Sequence, residues 1–312
     1  MIRKKSFTLI ELLVVIVIIG ILAGVIMIST SSSIDKANFA KAQAFSENVK
    51  NSMLLDLISE WTFDEQTQTI DNIIPGDSII YDDWGVNNGS SYGSIILRGK
   101  NNCIKEKCLE MNLSNVQYVI IPNSRNIYPG TGSFTVAGWI FPRDYTYPRS
   151  FFSMGNNEAS IAGGKGWQLG HGFSNSGLNI RLSDGVNSLS STLDCNSGYR
   201  PIDLINKWSH VVVVYDKSSS KVFLYVNGQK QSNYLNIPSA MGDTYSTQVL
   251  HIGDVQGWRV DGKLDEVAFY NEALSSLKVK QDYFAGLNSL LSKGSISKED
   301  YSQRINELAH EK

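Results

Sequence analysis

Hydrophobic and polar positions follow four rhythms along the chain. From Phe7 to Ile28 the residues are apolar apart from Thr8 and Glu11, about 22 positions, which as a helix reach across the roughly 30 Å of a bilayer core. Polar residues return at Ser29, but the stretch to Ser59 lacks Gly and Pro, is rich in Ala, Lys, Glu and Leu, and repeats Phe45, Val49 and Met53 four apart on one face. That spacing predicts one long helix to about Ser59, whose apolar face packs either on the downstream domain or on neighbouring copies. From Glu60 the texture changes to short β-branched and aromatic runs separated by Gly, Asn, Asp and Ser: V-Q-Y-V-I-I, S-F-T-V-A-G-W-I-F, G-L-N-I-R-L-S-D, W-S-H-V-V-V-V-Y-D, K-V-F-L-Y-V-N-G, Q-V-L-H-I-G-D and L-D-E-V-A-F-Y. Several alternate with period two, and no crossover helix fits between Trp61 and Tyr270, so the pattern predicts an antiparallel β-sandwich. Asn227-Gly228 is a hairpin turn, since both residues tolerate positive φ. After Leu274 the period is helical again, in two segments meeting at Lys293-Gly294; Ser297 is the N-cap of the second, with Tyr301, Ile305 and Leu308 on one face.

Composition narrows the picture. The 312 residues suffice for one large all-β domain or two smaller ones. With 28 basic and 30 acidic residues, a net charge of −2 and no basic run beyond Arg3-Lys4-Lys5, nucleic acid is not an expected partner. Those three cations precede the apolar segment and hold the N-terminus in the cytoplasm, giving a single N-in, C-out span of the cytoplasmic membrane with everything after Ile28 outside. A cleaved signal peptide would carry an apolar core of about 7 to 15 residues and an A-x-A-like site, which this segment lacks. Of three cysteines, Cys103 and Cys108 in C-I-K-E-K-C are the natural pair once the chain is exported, leaving Cys195 as a free thiol; no Cys/His spacing suits zinc.

A carboxylate at position 11 costs several kcal/mol inside hydrocarbon unless it is paired or neutralised. The stretch S-F-T-L-I-E-L-L-V-V resembles the N-terminus of type IV prepilins and of the pseudopilins of type II secretion, over about the first 30 residues. The resemblance implies a leader over 1–6, cleavage between Ser6 and Phe7 by a prepilin peptidase, N-methylation of Phe7, and pairing of Glu11 with the N-terminus of a neighbouring subunit. Residues 7–59 then form the transmembrane and stalk helix, and the assembled chain stands on the cell surface in a filament. The sequence departs from the family in carrying Ser6 where Gly is usual, and in having no proline before Pro75.

The order of the downstream runs, from W-T-F-D-E through C-L-E-M-N-L-S-N-V-Q-Y-V-I-I-P to G-K-L-D-E-V-A-F-Y-N-E-A-L-S, resembles the laminin-G-like, concanavalin-A-like jelly roll from about Trp61 to Leu277. The expected architecture is therefore a long N-terminal α-helix, an all-β antiparallel jelly-roll sandwich over 60–277, and a short C-terminal helical hairpin over 278–312. Such sandwiches usually recognise glycans or proteins, and often hold a structural calcium ion between opening and closing strands, here at Asp64 and Asp265. The other reading of those two aspartates is hydrogen bonding to loop backbone, and the sequence leaves both open.

Nothing in the residues assembles a catalytic set. Glycosidases need two carboxylates facing one bond; Asp265 and Glu266 are adjacent, so regular strand alternation would send them to opposite faces. His171, His210, His251 and His310 show no nucleophile or metal spacing, and His210 in its valine-rich strand reads as structural. G-G-K-G near Gly163 is followed by no helical pattern and reads as a turn rather than a phosphate loop. The sequence thus points to a non-enzymatic pilus or pseudopilus subunit displaying a binding domain, with a purely structural pseudopilin as the alternative and a tethered glycoside hydrolase as a distant third.

N-terminal mass spectrometry of the mature chain is expected to find N-methylated Phe7. Glu11→Ala is expected to leave membrane insertion intact and abolish assembly; a mature start at Met1 would contradict this.

Overall fold

The computed structural model of the chain describes residues 56–122, 127, 130–145, 149–155, 164–171, 177–193, 201–246, 249–254 and 257–309. The chain divides into two units, Met1–Asn48 and Val49–Lys312, and every described residue belongs to the second. Ser6, Phe7, Glu11, the membrane segment and the stalk as far as residue 55 lie outside the described residues, as do Cys195 and His310. Among the described residues no helix is long and apolar enough to cross a membrane.

The strands in chain order are β1 Leu57–Trp61, β2 Asn72–Ile74, β3 Ile79–Ile80, β4 Gly89–Tyr92, β5 Ile95–Gly99, β6 Lys107–Met111, β7 Tyr118–Ile121, β8 Phe134–Pro142 and β9 Arg149–Met154. They continue as β10 Lys165–His171, β11 Leu178–Asp184, β12 Ser188–Leu193, β13 Ser209–Asp216, β14 Lys221–Val226, β15 Gln229–Asn236, β16 Leu250–Ile252 and β17 Gly262–Tyr270, followed by helices α1 Ser276–Ser292 and α2 Lys298–Ala309. They form two antiparallel sheets. A nine-stranded one runs β15-β14-β13-β8-β17-β6-β5-β2 with β1 also on β17, and an eight-stranded one runs β12-β11-β10-β9-β16-β7-β4-β3.

The main core lies between the sheets, where Trp61, Leu109, Phe134, Phe152, Trp167 and Phe269 are all buried. Alternation explains most of the strands, but V-V-V-V in β13 is buried throughout. Val211 and Val213 face the inter-sheet core, while Val212 and Val214 face a second cluster with Ala137, Ala268, Tyr270 and Val279 of α1. A strand covered on both faces needs no polar positions. The expected turn at Asn227-Gly228 is present, with φ of 51° and 75°.

The helical hairpin forms as expected. Ser275 caps α1 by accepting from Lys278 N at 3.3 Å, Ser297 Oγ accepts from Asp300 N at 3.0 Å, and Gly294 turns the chain at φ 71°. α1 lies against Trp139 so closely that a Cβ on Gly286 would come within 2.4 Å of the indole.

One expectation is corrected. Leu57 to Ser59, read as the end of the stalk helix, belong to β1, and the opening strand is L-I-S-E-W rather than W-T-F-D-E. Leu57, Ser59 and Trp61 are buried in alternation and pair with β17, so a free ladder edge outweighs the local helical preference.

Gly286→Val is expected to lift α1 from Trp139 and destabilise the sandwich by about 1–3 kcal/mol. Urea unfolding followed by tryptophan fluorescence checks this.

Candidate functional site

α1 covers the outer face of the nine-stranded sheet; on the outer face of the other, the side chains of β9 and β10 are buried while those of β4, β7, β16 and β11 are half-buried or exposed. There Ile79, Ser90, Ile120, His251, Ser153, Gln168 and Arg181 stand opposite one another in one transverse row from β3 to β11. Their chain neighbours Ile80, Val119, Ile252, Phe152, Leu169 and Ile180 belong to the core, so the pleat turns the row outward. The row is apolar at one end and polar at the other.

Among the described residues Ser153 Oγ, Gln168 Oε1 and His251 Nδ1 have no hydrogen-bond partner, although Ser153 and Gln168 are only 1% and 5% exposed. A recessed hydroxyl or amide left unsatisfied costs about 1–3 kcal/mol, so this floor requires water or the hydroxyls of a ligand. Burial lowers the pKa of His251 and keeps its ring neutral at pH 7, one nitrogen donating and the other accepting.

Aromatic rings flank the floor. Tyr92 and Tyr118, paired across β4 and β7, stack with centroids 4.6 Å apart and planes 7° from parallel; Tyr118 meets His251 edge-on at 5.4 Å. At the other end the Arg181 guanidinium lies 4.5 Å from the centre of the Trp258 ring. None of these residues was singled out for function by the sequence. Period two marks Tyr92 and Tyr118 as outward, but which sheet face stays open depends on where α1 docks.

Asp64 and Asp265 meet at a different place, a seam where β17 changes partner. β6 pairs with Gly262 to Leu264 and β1 with Val267 to Tyr270. Between them Glu266 has φ 49° and the register with β8 shifts. The bulge breaks strict alternation here: Glu266 pairs with the Lys105 ammonium, and Asp265 accepts from the Lys105 backbone N–H. Burial works against that ammonium, but Glu266, with which it forms an ion pair, and the nearby Glu60 and Asp265 outweigh it and raise its pKa.

Asp265, fully buried, accepts from Ile104 N at 2.7 Å, Lys105 N at 3.4 Å and Glu266 N at 2.8 Å. Burial and the Glu266 carboxylate push its pKa well up, opposed by the Ile104 N–H and by Lys105. Asp64 accepts from Lys107 N at 2.7 Å, and Lys107 Nζ donates to the carbonyls of Asp64 and Gln66, both at 2.6 Å. Cys103 and Cys108 form a disulfide with Cα atoms 5.3 Å apart. Their sulfurs lie within 4.8 Å of the Asp265 carboxylate, but an oxidised pair offers no thiolate to a metal.

The carbonyls of Cys103, Ile104 and Lys105 converge on Lys293 Nζ at 2.7, 2.7 and 2.6 Å. Calcium needs 6 to 8 oxygens. Here the carboxylates are engaged by backbone N–H groups, and an ammonium from the end of α1 takes the converging carbonyls. The donor set therefore fits a tethered ammonium, not the calcium ion expected at Asp64 and Asp265.

His210 is buried between Trp139 and Tyr283, and its Nε2 lies 3.1 Å from Asp282 of α1. It joins β13 to the helix. Lys165 and Gly166 of the G-G-K-G stretch open strand β10, and no helix follows them.

A family model described as the concanavalin A-like lectin/glucanases superfamily matches residues 113–280, and one described as the prokaryotic N-terminal methylation motif matches residues 1–27. Among solved structures the chain is similar to the binding domain of Paraclostridial Mosquitocidal Protein 1, with 18% identity over 74% of this chain and 52% of that one, at a TM-score of 0.53. It is also similar to the botulinum neurotoxin serotype D binding domain, with 15% identity over 77% of this chain and 53% of that one, at a TM-score of 0.52. The receptor binding domain of botulinum neurotoxin mosaic serotype C/D gives 16% identity, 74% and 51% coverage and a TM-score of 0.53. The chain spans about half the length of these structures, and at such identities the likeness is one of fold. No curated protein matches the sequence.

Melting curves in millimolar calcium and in excess chelator are expected to coincide. Lys293→Met leaves three carbonyls without a donor and is expected to lower the melting temperature, with partial rescue by calcium; chelator sensitivity of the parent chain would refute the tethered-ammonium reading.

Proposed function

The chain belongs to the concanavalin A-like lectin/glucanases superfamily, and from that membership together with its N-terminal methylation motif we propose that it is a pilin-type subunit displaying a glycan-binding sandwich outside the cell. On this reading a prepilin peptidase cuts the chain between Ser6 and Phe7, it passes through the cytoplasmic membrane with its N-terminus inside, and it joins other pilin or pseudopilin subunits through Glu11. The sandwich acts by binding and not by catalysis.

The observation that carries the binding role is the outer face of the eight-stranded sheet. Its recessed floor leaves Ser153 Oγ, Gln168 Oε1 and His251 Nδ1 without partners among the described residues, and Tyr118 and Trp258 flank it. Sugars present hydroxyls that both donate and accept, and C–H faces that pack on aromatic rings. The floor and its rings answer both features. The neutral His251 supplies a donor and an acceptor together.

The full chain, purified in detergent, is expected to bind a subset of glycans on an array. Tyr118→Ala and Trp258→Ala should each weaken binding by about 1 kcal/mol, roughly fivefold. Burial depresses the His251 pKa, so binding should hold at neutral pH and weaken as acidification protonates the ring and removes its acceptor. Binding that ignores both ring substitutions would move the site elsewhere, and a chain that binds no glycan would leave the purely structural pseudopilin reading.

A further inference from the structure

A second surface lies where β1 begins. β2 and β3 are the edge strands of the two sheets, joined by residues 75–78, so both edges open on one side of the sandwich. That side is apolar: Ile73 is 51% exposed, Ile79 53%, Trp84 46% and Val86 79%. Bare strand edges carrying apolar side chains invite pairing with other chains.

The loop presenting Trp84 and Val86 is rigidly built. Asp82 accepts from Glu60 N at 3.0 Å, Trp84 N at 3.2 Å, Gly85 N at 2.9 Å and Asn87 N at 2.9 Å. Asp83 Oδ2 accepts from Thr62 N at 2.8 Å, and Trp61 Nε1 donates to Asn87 O at 3.1 Å. The Trp84 indole donates to Leu57 O at 2.9 Å, so its ring sits beside the strand into which residues 1–55 lead. A fixed loop holding apolar side chains in water is the form of a preorganised contact surface.

We propose that this edge docks segment 36–53 of a second copy of the chain. On the reading above, the methylation motif over residues 1–27 brings copies side by side through their N-terminal segments, and the patch lies beside Leu57 at the start of β1. Charge agrees with the choice. Residues 69–88 contain Asp71, Asp77, Asp82 and Asp83 and no basic residue, whereas 36–53 contain Lys36, Lys41 and Lys50 against Glu47 alone. Asp77 and Asp83 are exposed around the patch, and Asp71 pairs with Arg98 of β5 at 3.0 Å. The same segment repeats Phe45, Val49 and Met53 at helical spacing, an apolar stripe for an apolar edge. This inference rests on the assembly half of the reading above and is independent of the glycan half.

The test uses the full chain in cells that assemble it, with Val86 replaced by p-benzoyl-phenylalanine, a change the exposure of that site permits. Irradiation is expected to give an adduct of two chains whose cross-linked peptide maps to 36–53, and Glu11→Ala is expected to abolish it. Chains that sediment as polymer but give no adduct, or an adduct to another protein or another region, overturn the docking inference while leaving assembly intact. A chain that never sediments as polymer overturns both. Val86→Asp supplies a second measure: secretion and folding should match the parent while the polymer fraction falls, and an unchanged polymer fraction counts against the edge.

Discussion

The sandwich depends on the carboxylate of Asp265, which stands where β17 gives up one partner strand and takes another. β17 lies between β8 on one side and β6 followed by β1 on the other. Two strands set end to end leave a gap in the ladder, and the N–H groups beside it need acceptors. Asp265 supplies them to Ile104 and Lys105, the bulge at Glu266 turns a second carboxylate toward Lys105, and Lys293 satisfies the carbonyls of the same loop. A seam that elsewhere would suit an ion is closed by the chain's own ammonium groups and carboxylates.

That closure fixes the helices. Lys293 ends α1 on the disulfide loop, Gly286 lets the helix lie on Trp139, and Asp282 reaches His210 of β13. With α1 held in this way, Val212 and Val214 on the outer face of the nine-stranded sheet are covered, which is why β13 is apolar at every step from Val211 to Val214. The other sheet keeps its outer face for polar and aromatic side chains. The helix contacts and the row of unsatisfied polar atoms thus fall on different sheets.

The same arrangement separates two kinds of surface. The face across β7, β16, β9 and β10 pairs unsatisfied polar atoms with aromatic rings, a combination suited to hydroxylated ligands. The β2–β3 edge pairs apolar side chains with an acidic rim beside the root of the sandwich, a combination suited to a lysine-bearing apolar segment. One surface lies on the face of a sheet and the other adjoins Leu57 at the start of β1.

The sequence by itself carried the N-terminal methylation motif and the class of fold. A carboxylate in an apolar span needs a partner whatever surrounds it, so Glu11 speaks without a structure. Period-two runs and an Asn-Gly turn are local signals, and β7, β8, β11, β13, β14, β16 and β17 lie where those runs placed them. Cys103 and Cys108 were legible because only five positions separate them. Tertiary structure decided what local signals cannot carry. It drew Leu57 to Ser59 into a strand because β17 offered an open ladder, turned Asp265 and Glu266 toward one lysine through a bulge that alternation does not encode, and brought Lys293 to carbonyls some 190 positions away. It also aligned Ser153, Gln168 and His251, remote in the chain, in one row, because register between strands is set by the packing of the whole sheet and not by any residue in it.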